Sequence, residues 1–239
     1  MNLKQTTAAE TADAKVLPLG ETAVMVEFGQ SIDPALHRKV KALSHYLDQN
    51  AFTGLVEYVA AFASLTVFYD PVRISGDAVI SYLETIVNKL ENSQTMEPRI
   101  VEIPVCYGGE FGPDLDFVAR HNGIAAQDVI DIHTGGQYLV YMLGFAPGFP
   151  YLGGMSERIA APRRQSPRPA IPAGTVGIAG MQTGMYPITT PGGWQLIGRT
   201  PVALFRPDDN PPTLLKSGDI IRFRSISLQE YQHVKGADT

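Results

Sequence analysis

Between Tyr141 and Arg206 the chain reads GFAPGFPYLGG, then APRRQSPRP, then IPAGTVGIAGMQTGMYPITTPGGWQLIGRTPVALFRP. No other segment limits the fold so strongly. Glycine takes backbone angles that other residues avoid, and proline fixes φ and has no N–H to donate. A segment punctuated this densely cannot run as a helix and must turn repeatedly. Arginines, glutamines and single aromatics stand between the turns, which is the make-up of a binding face rather than of a packing element.

Charge and cysteine content narrow the function classes. Over 239 residues the formal net charge is −5, which argues against a nucleic-acid backbone as partner. One cysteine, Cys106, excludes an internal disulfide and a cysteine-based zinc site. The opening MNLKQTTAAETADAK lacks the apolar core of a signal peptide, and residues 1–13 are expected to form a disordered tail. The longest apolar run, LVEYVAAFASLTVFY, is short and carries Glu57, so no membrane span is expected and the reading is cytoplasmic.

Composition divides the chain into two halves. Of 18 prolines 14 fall at or after Pro104, and of 23 glycines 19 do, which places a boundary near Glu97. The net negative charge lies in the first half, whereas ten of the twelve cations from Arg99 onward are arginine, the residue suited to carboxylate and phosphate. The expected domains are residues 14–97 and 98–239.

In the first half, Ala14–Leu19, Thr22–Phe28, Leu55–Ala60 and Ser64–Tyr69 read as strands. Ser31 or Asp33 can cap a helix with Pro34 in its first turn, and Ile32, Leu36, Val40, Leu43 and Leu47 form its apolar stripe. A second helix, capped by Asp77, carries Val79, Ile80, Leu83, Ile86, Val87 and Leu90. Ile100–Val105 is expected to close this half as a strand. The result is a small α+β sandwich. The second half opens with short helices at Asp114–Asn122 and Gln127–His133, which stop at Gly123 and Gly135. It then becomes β, with Gly218–Arg224 the clearest half-buried strand. Many short strands with Gly/Pro turns predict a barrel or sandwich.

The familiar catalytic engines are missing from the sequence: there is no GxxxxGK[ST] loop, no GxGxxG, no HExxH and no GxSxG. Cys106 reads as a small buried hydrophobe rather than a nucleophile. His133 is the candidate acid/base group, although a histidine near a helix C-terminus also gains from the dipole. Arg163, Arg164 and Arg168 lie in a loop stiffened by Pro162, Pro167 and Pro169, and arginines so pre-organised, Arg163 and Arg168 above all, suit an anion. Gln182, Thr183 and Tyr186 follow Gly177 and Gly180, either as an anion-binding nest or as a plain hairpin. Trp194 is either core or the wall of a pocket, and Arg199 is a further candidate for neutralising charge. Glu110, Asp114 and Asp116 are candidate carboxylates, although Asp114 and Asp116 read as first-turn helix residues.

IPVCYGGEFGPDLDFVARHNG, HTGGQYLVYMLGFAPGFPYLGG and the long APRRQSPRP…GGWQLIGRTP segment together resemble the KipI family, also called allophanate hydrolase subunit 1 or the B-type subunit of 5-oxoprolinase. The resemblance runs over nearly the whole chain after about residue 14. It implies an α+β protein: a ferredoxin-like N-terminal domain, then a cyclophilin-like β-barrel. It further implies an ATP-dependent 5-oxoprolinase that opens 5-oxo-L-proline to L-glutamate. In that enzyme the B-type and C-type subunits act together, the A-type subunit is a separate chain, and ATP is a co-substrate of the complex. No metal or organic cofactor is implied for this chain. The alternative it implies is an inhibitor of sensor histidine kinase autophosphorylation, with Phe145, Phe149, Tyr151 and Trp194 as the docking groove. Self-association is expected through the N-terminal half, by way of an uncovered sheet edge.

Overall fold

Residues alternating between buried and solvent-facing positions build the first sheet. In β4 (Ser64–Tyr69), Leu65, Val67 and Tyr69 are buried and the residues between them are not. The computed structural model describes residues 14–90 and 97–237, so the expected tail lies outside the described residues. The chain divides into two compact units between Thr95 and Met96.

In the first unit, β1 (Lys15–Pro18), β2 (Ala23–Glu27), β3 (Leu55–Ala60) and β4 form an antiparallel sheet in the order β1-β2-β4-β3. Helix α1 (Pro34–Gln49) follows β2, and α2 (Gly76–Leu90) follows β4. Asp33 is the α1 cap: its backbone is extended and its carboxylate accepts the Ala35 N–H at 2.6 Å, with Pro34 first in the helix. Val40, Leu43 and Leu47 from α1, with Val79, Leu83 and Ile86 from α2, pack on Val24, Val26, Leu65 and Val67. Each such side chain contributes about 1.5–3 kcal/mol by leaving water. Two expectations need correction here. Ile32 precedes the helix and is 59% exposed, so the stripe starts at Leu36. The hydroxyl that caps α2 belongs to Ser75, which accepts the Ala78 N–H at 3.3 Å, and Asp77 lies inside the first turn.

The second unit contains β5 (Ile100–Tyr107), α3 (Leu115–Asn122), α4 (Ala126–Gly135), β6 (Tyr138–Leu143), β7 (Pro150–Gly153), β8 (Arg168–Ile171), β9 (Thr175–Ala179), β10 (Gln182–Met185), β11 (Thr190–Gly192), β12 (Gln195–Arg199), β13 (Ile220–Ser225) and α5 (Leu228–Ala237). Seven strands form one sheet, ordered β10-β9-β12-β5-β13-β6-β7. Its outer strands β10 and β7 lie against each other, so the sheet is a nearly closed barrel. The strand at Ile100–Val105 does not close the first half. It is β5, the middle of the barrel sheet, where it pairs parallel with β13 and antiparallel with β12. Pairing supplied by the distant β13 and β12 decides its place, and no local pattern records that. Ile103, Val105, Val118, Tyr138, Val140, Ile178, Ile197 and Ile221 fill the barrel. Helix α3 ends at Gly123 in the left-handed region (φ 66°), as expected. Strands β8 and β11 form a separate two-stranded ribbon.

Candidate functional site

The site grows from a close backbone contact. A Cβ on Gly112 would fall 2.1 Å from the Ile197 carbonyl oxygen, so only glycine lets the 108–114 loop lie on β12. The Asp114 N–H then reaches the Leu196 carbonyl at 2.9 Å, and the Leu196 N–H donates to Asp114 Oδ2 at 2.7 Å. Although it precedes α3, the Asp114 side chain does not cap that helix. Its Oδ1 instead accepts from Arg168 Nη2 at 2.9 Å and from Arg164 Nη1 at 3.3 Å. Asp114 is buried, and this pairing compensates its carboxylate.

Prolines alone do not hold the arginine loop. The Arg164 N–H donates to the Gly193 carbonyl at 2.7 Å, Gln195 Nε2 donates to the Pro162 carbonyl at 2.8 Å, and Arg168 pairs with Gly192 across the β8–β11 ribbon. These bonds tie the loop to the segment carrying Trp194. Tyr186 packs edge-on against Trp194, with ring centroids 6.3 Å apart. Burial pushes that phenol up to about 12, while Arg163 and Arg168 pull the other way. A Cβ on Gly192 would meet the Tyr186 oxygen at 2.5 Å, so this position also needs glycine. Arg168 Nη1 is buried with no hydrogen-bond partner among the described residues. An unmet charged donor of this kind costs more than the roughly 1–3 kcal/mol of a neutral one.

Aromatic rings continue outward from this point. Phe149 meets Trp194 and Tyr186 edge-on, each at 5.8 Å between centroids, and touches Tyr151 and Phe145. Of the groove residues expected from sequence, Phe149 is buried and Tyr151 half-buried, while Phe145 is 69% exposed. Phe145 has φ 67°, an unusual value for a bulky residue, and stands beside an open cleft of about 320 Å³ lined by Leu143–Gly148.

His133 lies elsewhere, in the barrel core. It is fully buried, with Tyr107 Oη 2.7 Å from Nδ1 and Thr183 Oγ1 2.9 Å from Nε2. Thr183 gives its own proton to the Gly177 carbonyl at 3.1 Å, so it accepts from Nε2–H, and the Tyr107 hydroxyl donates to Nδ1. Burial lowers the imidazole to about 3. Both nitrogens are therefore occupied within the core. The expectation of an acid/base group gives way to a neutral core histidine. Thr183 belongs to this network and not to an anion nest; Gly177, Gly180 and Gln182 form the plain β9–β10 hairpin.

Arg199 stands at the far end of β12 from Gln195. Its guanidinium lies 5.2 Å from the centre of the Phe111 ring, it acts electrostatically on Tyr231 of α5, and its Nε is buried with no hydrogen-bond partner among the described residues. Cys106 is its partner across β5, and burial pushes that thiol up, with Glu110 adding to the shift. Sequence reasoning missed Tyr107 and set Asp114 aside as a first-turn helix residue. The only signal for Asp114 was a demand: a loop with three arginines needs a buried counter-charge. Among the described residues no cluster of three or more His, Cys, Asp or Glu could hold a metal ion, and no helix is long and apolar enough to cross a membrane.

Comparison with known proteins adds to this geometry. Residues 14–215 match the family model described as carboxyltransferase domain, subdomain C and D. The chain is 54% identical over 235 residues to the B-type subunit of the 5-oxoprolinase of Bacillus subtilis (strain 168), covering 94% of this chain and 98% of that one. It is similar to the crystal structure of TTHA0988, with TM-score 0.74 and 36% identity over 86% of this chain, and it spans only 40% of that longer chain. The same fold recurs in the K. lactis urea amidolyase, with TM-score 0.73 and 20% identity, covering 98% of this chain and 16% of that one.

Proposed function

The chain belongs to the carboxyltransferase-domain family, subdomain C and D, and from that premise we propose that it is the B-type subunit of an ATP-dependent 5-oxoprolinase. The observation that carries this reading is the match to the Bacillus subtilis protein along nearly the whole of both chains. The reaction opens 5-oxo-L-proline to L-glutamate, using one water to open the ring and another as ATP becomes ADP and phosphate. Phosphorylation of the lactam oxygen would activate an otherwise unreactive amide.

In this reading the chain supplies binding and charge neutralisation, and a C-type subunit completes the site. Arg164 and Arg168 share a single carboxylate, Asp114, and Arg163 stands with Arg168 near a buried tyrosine, Tyr186, which leaves surplus positive charge there. The sequence has no phosphate loop, which fits a site shared with another chain. Homologous domains inside longer chains support work within a larger assembly. We read the first unit as a ferredoxin-like sandwich whose closing strand has moved to the front, as the order β1-β2-β4-β3 allows. The second reads as a cyclophilin-like barrel. The exposed valines of edge strand β3, Val56 and Val59, favour self-association there.

The test is reconstitution. The purified chain alone should show no 5-oxoproline-dependent ATP hydrolysis, and adding the A-type and C-type subunits should restore it. Turnover by this chain alone would remove the shared-site reading, and an inactive mixture of all three folded proteins would remove the enzyme reading.

A further inference from the structure

The function above needs charge neutralisation but does not say which group is bound or what holds the arginines. We propose that Arg168, Arg163 and the Tyr186 hydroxyl form a carboxylate-binding site on this chain, and that Asp114 is the positioning residue that holds it open to one ligand. The choice of 5-oxo-L-proline as the carboxylic acid rests on the 5-oxoprolinase reading; the site itself does not.

Three independent observations meet here. One is the commitment of Arg168. Its Nη2 is fixed on Asp114 Oδ1 at 2.9 Å, whereas its buried Nη1 has no partner among the described residues. A guanidinium held by one amine presents its other N–H groups in a fixed plane, which suits an oxyanion. Charge is another. Asp114 pairs with both Arg164 and Arg168, and no ion pair involves Arg163 among the described residues, so two positive charges are left over. Both Arg163 and Arg168 lie close enough to the Tyr186 hydroxyl to act on it electrostatically. The third is framework. Asp114 Oδ2 takes the Leu196 N–H at 2.7 Å, so one carboxylate joins the arginine loop to the strand that follows Trp194. Arg168 carries 23% side-chain exposure and Arg164 37%, so the cluster reaches solvent along the loop.

A carboxylate matches this set better than a phosphate. The Tyr186 O–H and the Arg168 Nη1–H are two donors for a planar anion with two acceptor oxygens, and Arg163 adds a peripheral charge. Phe149 and Trp194, the buried apolar neighbours of Tyr186, back the site.

Trp194 is the single tryptophan of the chain, so its fluorescence reads this site without labelling. The full-length chain is titrated with 5-oxo-L-proline, with acetate, with 2-pyrrolidone (the same ring without a carboxylate) and with inorganic phosphate. Saturable changes are expected with 5-oxoproline and with acetate, and none with 2-pyrrolidone or phosphate over the same range. Arg168→Lys keeps a charge but loses the fork, and Asp114→Asn keeps the shape but frees the arginines. Each should weaken carboxylate binding at least tenfold. Tyr186→Phe should weaken it less and serves where Asp114→Asn fails to fold. Equal responses to 5-oxoproline and 2-pyrrolidone, or to phosphate, would overturn the site. Silence from the wild-type chain, or unchanged affinity in folded Arg168→Lys, would do the same. Acetate binding that these variants abolish, together with an inactive reconstituted mixture, would sustain the site and reject only the enzyme reading.

Discussion

The second unit holds two polar clusters, one sealed in the barrel core around His133 and one around the buried Asp114 that reaches solvent through its arginines. Around His133 every donor meets an acceptor: Tyr107, the two ring nitrogens, Thr183 and the Gly177 carbonyl form a closed chain. Around Asp114 the charges and hydrogen bonds do not balance. Two arginines share one carboxylate, and Arg168 Nη1 has no partner among the described residues. A closed network specifies a core and has nothing to offer a ligand. An unbalanced one is a standing demand for an anion. In this barrel the residue type best known for catalysis is structural, and the loop that looks like decoration carries the surplus charge.

Breaking the closed cluster should give the largest effect on stability. His133→Ala removes a buried ring and strands the Tyr107 hydroxyl, so it is expected to cost about 3–5 kcal/mol in denaturant unfolding. A loss under about 1 kcal/mol would show that the network is not a core element.

The next effect is on pH dependence. His133 titrates near 3 when folded and near 6.5 when unfolded. Between those values the unfolded chain binds a proton that the native chain does not. Stability from this group is therefore present above about pH 6.5 and is lost as pH falls towards 3, with a slope approaching about 1.4 kcal/mol per pH unit. Urea midpoints measured across that window should show the decline, and His133→Gln should flatten this contribution. A slope unchanged by the substitution would place the acid sensitivity elsewhere.

The smallest effect belongs to Cys106→Ser. The thiol is buried and its pKa is raised, so it is held away from the reactive thiolate. Activity of the reconstituted complex should stay within a few-fold of wild type, whereas a nucleophilic role would make the loss about a hundredfold or more.

Much of the fold was legible because local patterns carried it. The limits of β3 and β4, the Asp33 cap, the Gly123 stop and the alternation in β13 all follow from spacing and turn chemistry. The position of β5 was not legible, because its neighbours β13 and β12 come from far along the chain. The candidate site divides along the same line. Arg163, Arg168, Tyr186 and Trp194 stood out by composition and lie together in the structure. Asp114 did not, since an aspartate before a helix looks like an ordinary cap until the fold brings Arg164 and Arg168 onto it. His133 and Thr183 look functional in one dimension and turn inward in three.

The contrast between the clusters meets its most direct test in one experiment on the reconstituted complex. Steady-state 5-oxoproline-dependent ATP hydrolysis and thermal midpoint are measured for Arg168→Lys and for His133→Gln. Opposite outcomes are predicted. Arg168→Lys should lose at least tenfold in kcat/KM with a midpoint within a few degrees of wild type, as loss of a charge-assisted contact worth roughly 1.5–3 kcal/mol requires. His133→Gln should lower the midpoint clearly while the folded fraction retains near-normal turnover. Full activity in Arg168→Lys, or abolished turnover in a stably folded His133→Gln, would contradict the assignment of function to the open cluster and structure to the closed one.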